Sequence, residues 1–133
     1  MSSEGLHAPR EVLSQETRLL HNAITSLVEE LEAADWYRQR ADDTEDDTLR
    51  EILLHNMREE MEHASMLLEY IRRSDADFNG FLKTYLFTKQ PILEIEDEAK
   101  TGEAGVERAK SKRSDSAGRT AEGGFTVGPL KGN

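Results

Sequence analysis

The chain has 133 residues, 36% of them apolar and 33% charged, with a net charge of −10 and no cysteine. That length suits one small domain, and no run approaches the roughly 18 apolar residues of a membrane span. The lack of cysteine excludes disulfides and thiolate metal sites, and Met1–His7 lacks the basic and apolar pattern of a secretory signal, so the expected compartment is the cytoplasm.

Charge is unevenly spread. Residues 1–96 carry 21 acidic and 10 basic side chains, whereas residues 97–133 carry 6 and 7. An acidic body disfavours nucleic acid and anionic membranes as partners and attracts cations.

Pro9 suits the first position of a helix, with Glu11 in its first turn. Leu13, Leu20, Ile24, Leu27, Leu31 and Ala34 then recur at steps of three, four or seven, which predicts a long amphipathic helix to about Arg40. The run 41–47 (ADDTEDD) predicts a turn, with Asp43 or Thr44 capping a second helix from about Glu45 to Arg73. Phe78, Phe81, Leu82, Tyr85 and Leu86 predict a short third helix stopping near Pro91. Seven of the nine glycines fall in 97–133, which predicts a flexible linker ending in a small apolar island at 125–131. The expected architecture is all-α: an antiparallel two-helix hairpin plus a short third helix in residues 1–96. So thin a hairpin has little core of its own and needs association for stability.

The second helix carries the informative anomaly. Its inward row reads Leu49, Leu53, Asn56, Glu60, His63, Leu67, Ile71, apolar at both ends and polar in the middle. At 100° per residue, Asn56, Glu60 and His63 fall within about 60° of one another. A carboxylate and an imidazole on an inward face are costly unless paired, and a metal cation would pair them. Glu60-x-x-His63 is the spacing that di-iron carboxylate bundles use, where two helices give one Glu each and two others a Glu-x-x-His. Glu30, about 60° from Leu27 and 40° from Ala34, supplies the single Glu. One chain thus holds half a ligand set, and a two-fold dimer would complete a ferritin-like four-helix bundle with two Glu30, two Glu60 and two His63. Carboxylates with imidazole suit iron, with manganese or zinc as competitors. The competing reading is a Glu–His ion pair that staples two helices, in a non-catalytic scaffold or adaptor. On another face Glu29, Glu32 and Trp36 project together, either as an ordinary solvated surface or as a contact patch. Tyr37 lies near Glu30 in projection, as a neighbour of the site or as a packed tyrosine.

Three stretches resemble the encapsulated ferritins: residues 29–37 (EELEAADWY), 55–63 (HNMREEMEH) and 83–88 (KTYLFT). The resemblance implies a ferroxidase centre for two irons at Glu30, Glu60 and His63, with Tyr37 close by. It implies an outer metal-entry site at Glu29, Glu32 and Trp36, and dimers arranged as a ring of ten chains. The tail Thr126, Val127, Gly128, Pro129, Leu130, Lys131 resembles the cargo peptides that dock inside encapsulin shells, which implies an encapsulin shell protein as partner and a place inside that compartment. Oxidation of Fe(II) by dioxygen, feeding iron storage within the shell, is the activity so implied. A rubrerythrin-type oxidase or peroxidase fits less well, since it needs four helices in one chain and often a cysteine-bound iron.

Overall fold

Pro9 opens a helical turn, but that turn does not become the first long helix. In the computed structural model, which describes residues 5–102, Arg10–Val12 form a single 3-10 turn. The amide of Val12 donates to the Pro9 carbonyl at 3.0 Å, and Leu13 is extended. Helix α1 (Gln15–Asp43) starts afresh at Ser14, whose side chain accepts from the Thr17 amide. Ser14 therefore satisfies one of the orphan donors at the helix start.

The turn is three residues, Thr44 to Asp46. Asp46, rather than Asp43 or Thr44, caps α2 (Asp47–Ser74), its Oδ1 accepting from the Leu49 amide at 2.7 Å. Asp43 is still helical, and Thr44 closes α1 with its amide on the Arg40 carbonyl. All three candidates have capping chemistry, and geometry rather than residue type selects among them. Arg50 then binds the end of α1: Nε donates to the Ala41 carbonyl at 3.1 Å and the guanidinium to the Thr44 carbonyl and to Asp47. Carbonyls that α1 cannot satisfy itself are thus bonded from α2.

So short a link makes α1 and α2 antiparallel, and equal rise per residue puts residue n of α1 opposite roughly residue 90 − n of α2. The buried residues obey this. On α1 they are Ala23, Ala34 and Ala41, and on α2 Met57, Ala64 and Ile71. Filling in the half-buried positions gives two rows. Leu20, Ala23, Leu27, Glu30, Ala34, Tyr37 and Ala41 face Arg50, Leu53, Met57, Glu60, Ala64, Leu67 and Ile71. Steps alternate three and four throughout, the 3.5-residue seam of a left-handed coiled coil. Alanines along it let the two backbones approach closely.

The inward rows expected from the sequence are therefore partly displaced. Met57 and Ala64 lie on the α2 seam, while Leu49 is 45% exposed and Asn56 and His63 sit on its flank. On α1, Ile24 and Leu31 are exposed and Ala23, Tyr37 and Ala41 take seam positions. A count of bulky apolar side chains overlooks alanine, yet four of the buried seam residues are alanines. The bulky residues left outside form exposed rows, Ile24, Val28 and Leu31 on α1 and Leu49, Ile52, Met66 and Tyr70 on α2.

Among the described residues, those from Ala76 on belong to a second unit. Helix α3 (Ala76–Tyr85) ends six residues before Pro91, and Phe87 follows in the left-handed region with φ 61°, fully exposed. A last helix, α4, spans residues 92–102 of the described chain and buries Ile95. Helix thus continues past the point where composition turns linker-like. Pro91 starts α4 rather than stopping α3 directly: its carbonyl accepts the amides of Glu94 and Ile95, as suits proline at a helix start. No helix of the described residues is long and apolar enough to cross a membrane.

Candidate metal centre

Glu30 and Glu60 are equally far from the turn, so the hairpin register sets them opposite each other near the middle of the seam. His63 follows Glu60 by one turn on the same side. Its Nδ1 lies 3.4 Å from Glu60 Oε2 and 3.6 Å from Glu30 Oε2. One donor atom from each of the three residues lies within 4.8 Å of the others, and among the described residues no other such trio of metal-ligating side chains occurs. Those separations are long for hydrogen bonds. They suit one cation instead, because ligands about 2.0–2.2 Å from a metal stand roughly 3–3.5 Å from each other. Two carboxylates and one imidazole make a hard, anionic donor set, suited to iron or manganese.

The side chains are only partly enclosed: Glu30 is 27% exposed, Glu60 22% and His63 43%. A cation held here would keep one side open to further ligands. The Glu60 carboxyl pushes the Glu30 pKa up, first by hydrogen bonding to it, then with burial and like-charge repulsion adding; His63 pulls the other way. Two facing carboxylates resist ionising together, and a divalent cation would relieve that repulsion.

The remaining candidate residues stand apart from this trio within one chain. Tyr37 is half-buried on the seam, seven residues from Glu30 and so about 10 Å along the helix, with the Arg40 guanidinium 5.7 Å from its ring centre. Glu29, Glu32 and Trp36 are exposed on α1, where Trp36 lines a shallow hollow of about 260 Å³ with Gln39 and Arg40. His55 and Glu59 form an exposed pair at 3.6 Å. Thr126, Val127, Gly128, Pro129, Leu130 and Lys131 lie outside the described residues.

Sequence reasoning missed the Arg50 clamp, which fixes the register that brings Glu30 to Glu60. A signal was there: Arg50 is the first basic residue after the acidic turn, nine residues beyond Ala41.

Fold and site together define a ferritin-like helical protein whose hairpin presents a carboxylate–imidazole cluster able to hold a metal ion. The EncFtn-like family model matches residues 5–89, and the chain belongs to that family. The "Encapsulated ferritin-like protein" of Rhodospirillum rubrum is 48% identical over 132 residues, covering 98% of this chain and 91% of that one. A "Ferritin-like protein" of Thermotoga maritima is 50% identical over 96 residues, 72% of this chain and 84% of that one. In structure, the protein ne0167 of Nitrosomonas europaea aligns with a TM-score of 0.65 at 55% identity, covering 67% of this chain and 98% of that one.

Proposed function

We propose that this protein is a ferroxidase, oxidising Fe(II) with dioxygen at a two-iron site that a pair of chains builds together. The observation carrying this reading is the Glu30, Glu60 and His63 trio, converging on one cation position from two helices while still partly open. A second copy bringing its own trio would close the open side and give the six-ligand set of a di-iron carboxylate bundle. Exposed apolar side chains at both ends of the His63 flank, Leu49 and Ile52 on one side and Met66 and Tyr70 on the other, favour such a partner.

In this reading iron is the substrate. Glu30 and Glu60 neutralise the incoming charge, and His63 supplies a neutral nitrogen donor. Two ferrous ions each give one electron to dioxygen, which takes up two protons and leaves as hydrogen peroxide. Tyr37 belongs beside the assembled site and Glu29, Glu32 and Trp36 on the path by which iron enters. Manganese or zinc would compete for the same donors.

Paired chains arranged as a ring of ten, held inside an encapsulin shell in the cytoplasm, complete the proposal. The name of the Rhodospirillum relative, encapsulated, supports the shell. Thr126 to Lys131 would dock on its inner wall through Val127 and Leu130, tethered by the stretch from residue 97.

A scaffold reading has one observation in its favour: His63 lies within 4 Å of both carboxylates and could pair with them when protonated. The two separate in one experiment. Purified, metal-stripped protein is given Fe(II) without air, then air is admitted while near-ultraviolet absorbance and oxygen uptake are followed. The ferroxidase reading expects oxidation well above the protein-free rate, lost in Glu60→Ala and His63→Ala. Wild-type protein no faster than buffer would leave the scaffold.

A further inference from the structure

Helix α2 carries two rows of alternating three- and four-residue steps, side by side. The inner row, from Arg50 to Ile71, packs on α1. The outer row stands one residue ahead of it, about 100° around the helix: Leu49, Ile52, Asn56, Glu59, His63, Met66 and Tyr70. Its order is the same read from either end: two apolar residues, a polar one, an acid at the centre, a polar one and two apolar. Leu49, Ile52, Met66 and Tyr70 are each 45% exposed or more.

That symmetry is what an antiparallel pairing of α2 with a second α2 requires. A two-fold axis beside Glu59 sets residue n opposite roughly residue 119 − n of the partner. Leu49 then meets the partner's Tyr70, and Ile52 the partner's Met66. Glu59 and Glu60 crowd the axis from both chains, where bound cations would neutralise them. A slip of one heptad would set Leu49 against the partner's His63 and leave its apolar surface poorly matched. In the symmetric register it is Asn56 that meets the partner's His63.

Both members of that pair lack something within one chain. Among the described residues no hydrogen bond reaches the half-buried Asn56 side chain, and pairing would bury an amide that then needs a partner. His63 turns Nδ1 to the two carboxylates, which leaves Nε2 directed elsewhere. A metal-bound imidazole keeps its orientation by donating its other N–H to an oxygen. Asn56 Oδ1 is such an oxygen, but in its own chain it stands seven residues, about 10 Å, from His63. Glu59, the other acceptor of the row, is paired with His55 at 3.6 Å.

We propose that Asn56 is a positioning residue that acts across the pair. Its Oδ1 accepts from Nε2–H of the partner's His63 and holds that ring with Nδ1 turned to the cation. This rests on the paired-chain reading, not on the oxidation chemistry.

Two measurements on the full chain test it. The sequence has no cysteine, so Leu49→Cys combined with Tyr70→Cys reports the register. Within one chain the two positions are about 31 Å apart along the helix, far beyond the reach of a disulfide, so any bond joins two chains. Treated with diamide in the presence of Mn(II), the double variant is expected to give about tenfold more covalent dimer than either single variant. Co(II) then reads the site through its visible absorption. Asn56→Leu is expected to weaken Co(II) binding by about 10- to 100-fold, with pairing kept in native mass spectrometry because leucine extends the apolar row. Asn56→Asp, of the same shape and still an acceptor, is expected to bind Co(II) at least as tightly as the wild type.

A double variant that links no better than the single ones overturns the inference and spares the ferroxidase reading. The same holds if Asn56→Leu binds Co(II) like the wild type, or if Asn56→Asp is as weak as Asn56→Leu. Wild-type chains that do not pair with either metal overturn both. All three results as expected, with iron oxidation no faster than in buffer, uphold the role of Asn56 and overturn only the ferroxidase reading.

Discussion

The turn end and the middle of the hairpin meet the same problem, polar groups on a packing seam, in opposite ways. At the turn, Arg50 occupies a seam position but spends its donors on Ala41, Thr44 and Asp47. It is satisfied by the chain itself. At the middle, Glu30 and Glu60 hold equivalent positions and face each other, with His63 too far from either for a good hydrogen bond. One polar insertion completes the fold; the other leaves three donors converging on a position that a cation would fill. A polar residue on an apolar row therefore points to chemistry when its neighbours leave it without a good hydrogen bond, and to structure when they satisfy it.

The comparison breaks most visibly in the middle. Glu60→Ala or His63→Ala should lower iron oxidation by on the order of a hundredfold, with the hairpin still folded by circular dichroism, because each removes one of the three proposed ligands of a chain. Packing between the two regions gives the next largest effect. Ala34→Leu should cost about 1–3 kcal/mol in a denaturant titration, since Ala34 is buried on the seam between the helices. At the turn, Arg50→Ala should cost about 1–2 kcal/mol, through lost bonds to the α1 carbonyls, part of which water replaces at this half-exposed side chain. Asp46→Ala should cost about 1 kcal/mol for the lost cap on α2.

The smallest effect separates the regions by pH. Glu30 has its pKa raised in the folded chain, chiefly by Glu60. A raised carboxyl binds its proton more tightly folded than unfolded, so it favours the metal-free fold at acid pH. That contribution fades as pH rises through the folded value. Glu30→Gln should flatten this part of a stability profile measured without metal, whereas Arg50→Ala should leave its shape alone.

Much of this was legible in the sequence, for identifiable reasons. The two long helices follow from period and from the acidic turn. Glu-x-x-His puts Glu60 and His63 on one side of a helix whatever surrounds them. Glu30 is legible because it projects at the edge of the apolar stripe, close to Leu27 and Ala34. The seam was read less well: Ala23, Ala41 and Ala64 carry no bulk to count, and Ile24 and Leu31 are apolar for a surface outside the hairpin. The start of α1 was displaced because Pro9 and Ser14 both signal a helix, and Pro9 spends its signal on one 3-10 turn. Helix α4 runs into a stretch whose composition reads as linker, and Ile95, buried ahead of that stretch, is its one packing cue.

If a pair of chains builds the proposed site, one chain holds half of it. Native mass spectrometry of the metal-stripped chain, titrated with Fe(II) without air, tests it most directly. Paired chains, or larger assemblies of pairs, are expected to carry one iron per chain, with iron and pairing both weakened in Glu60→Ala. A monomer that binds iron as tightly as any assembly, or pairing with no iron uptake at all, would contradict it.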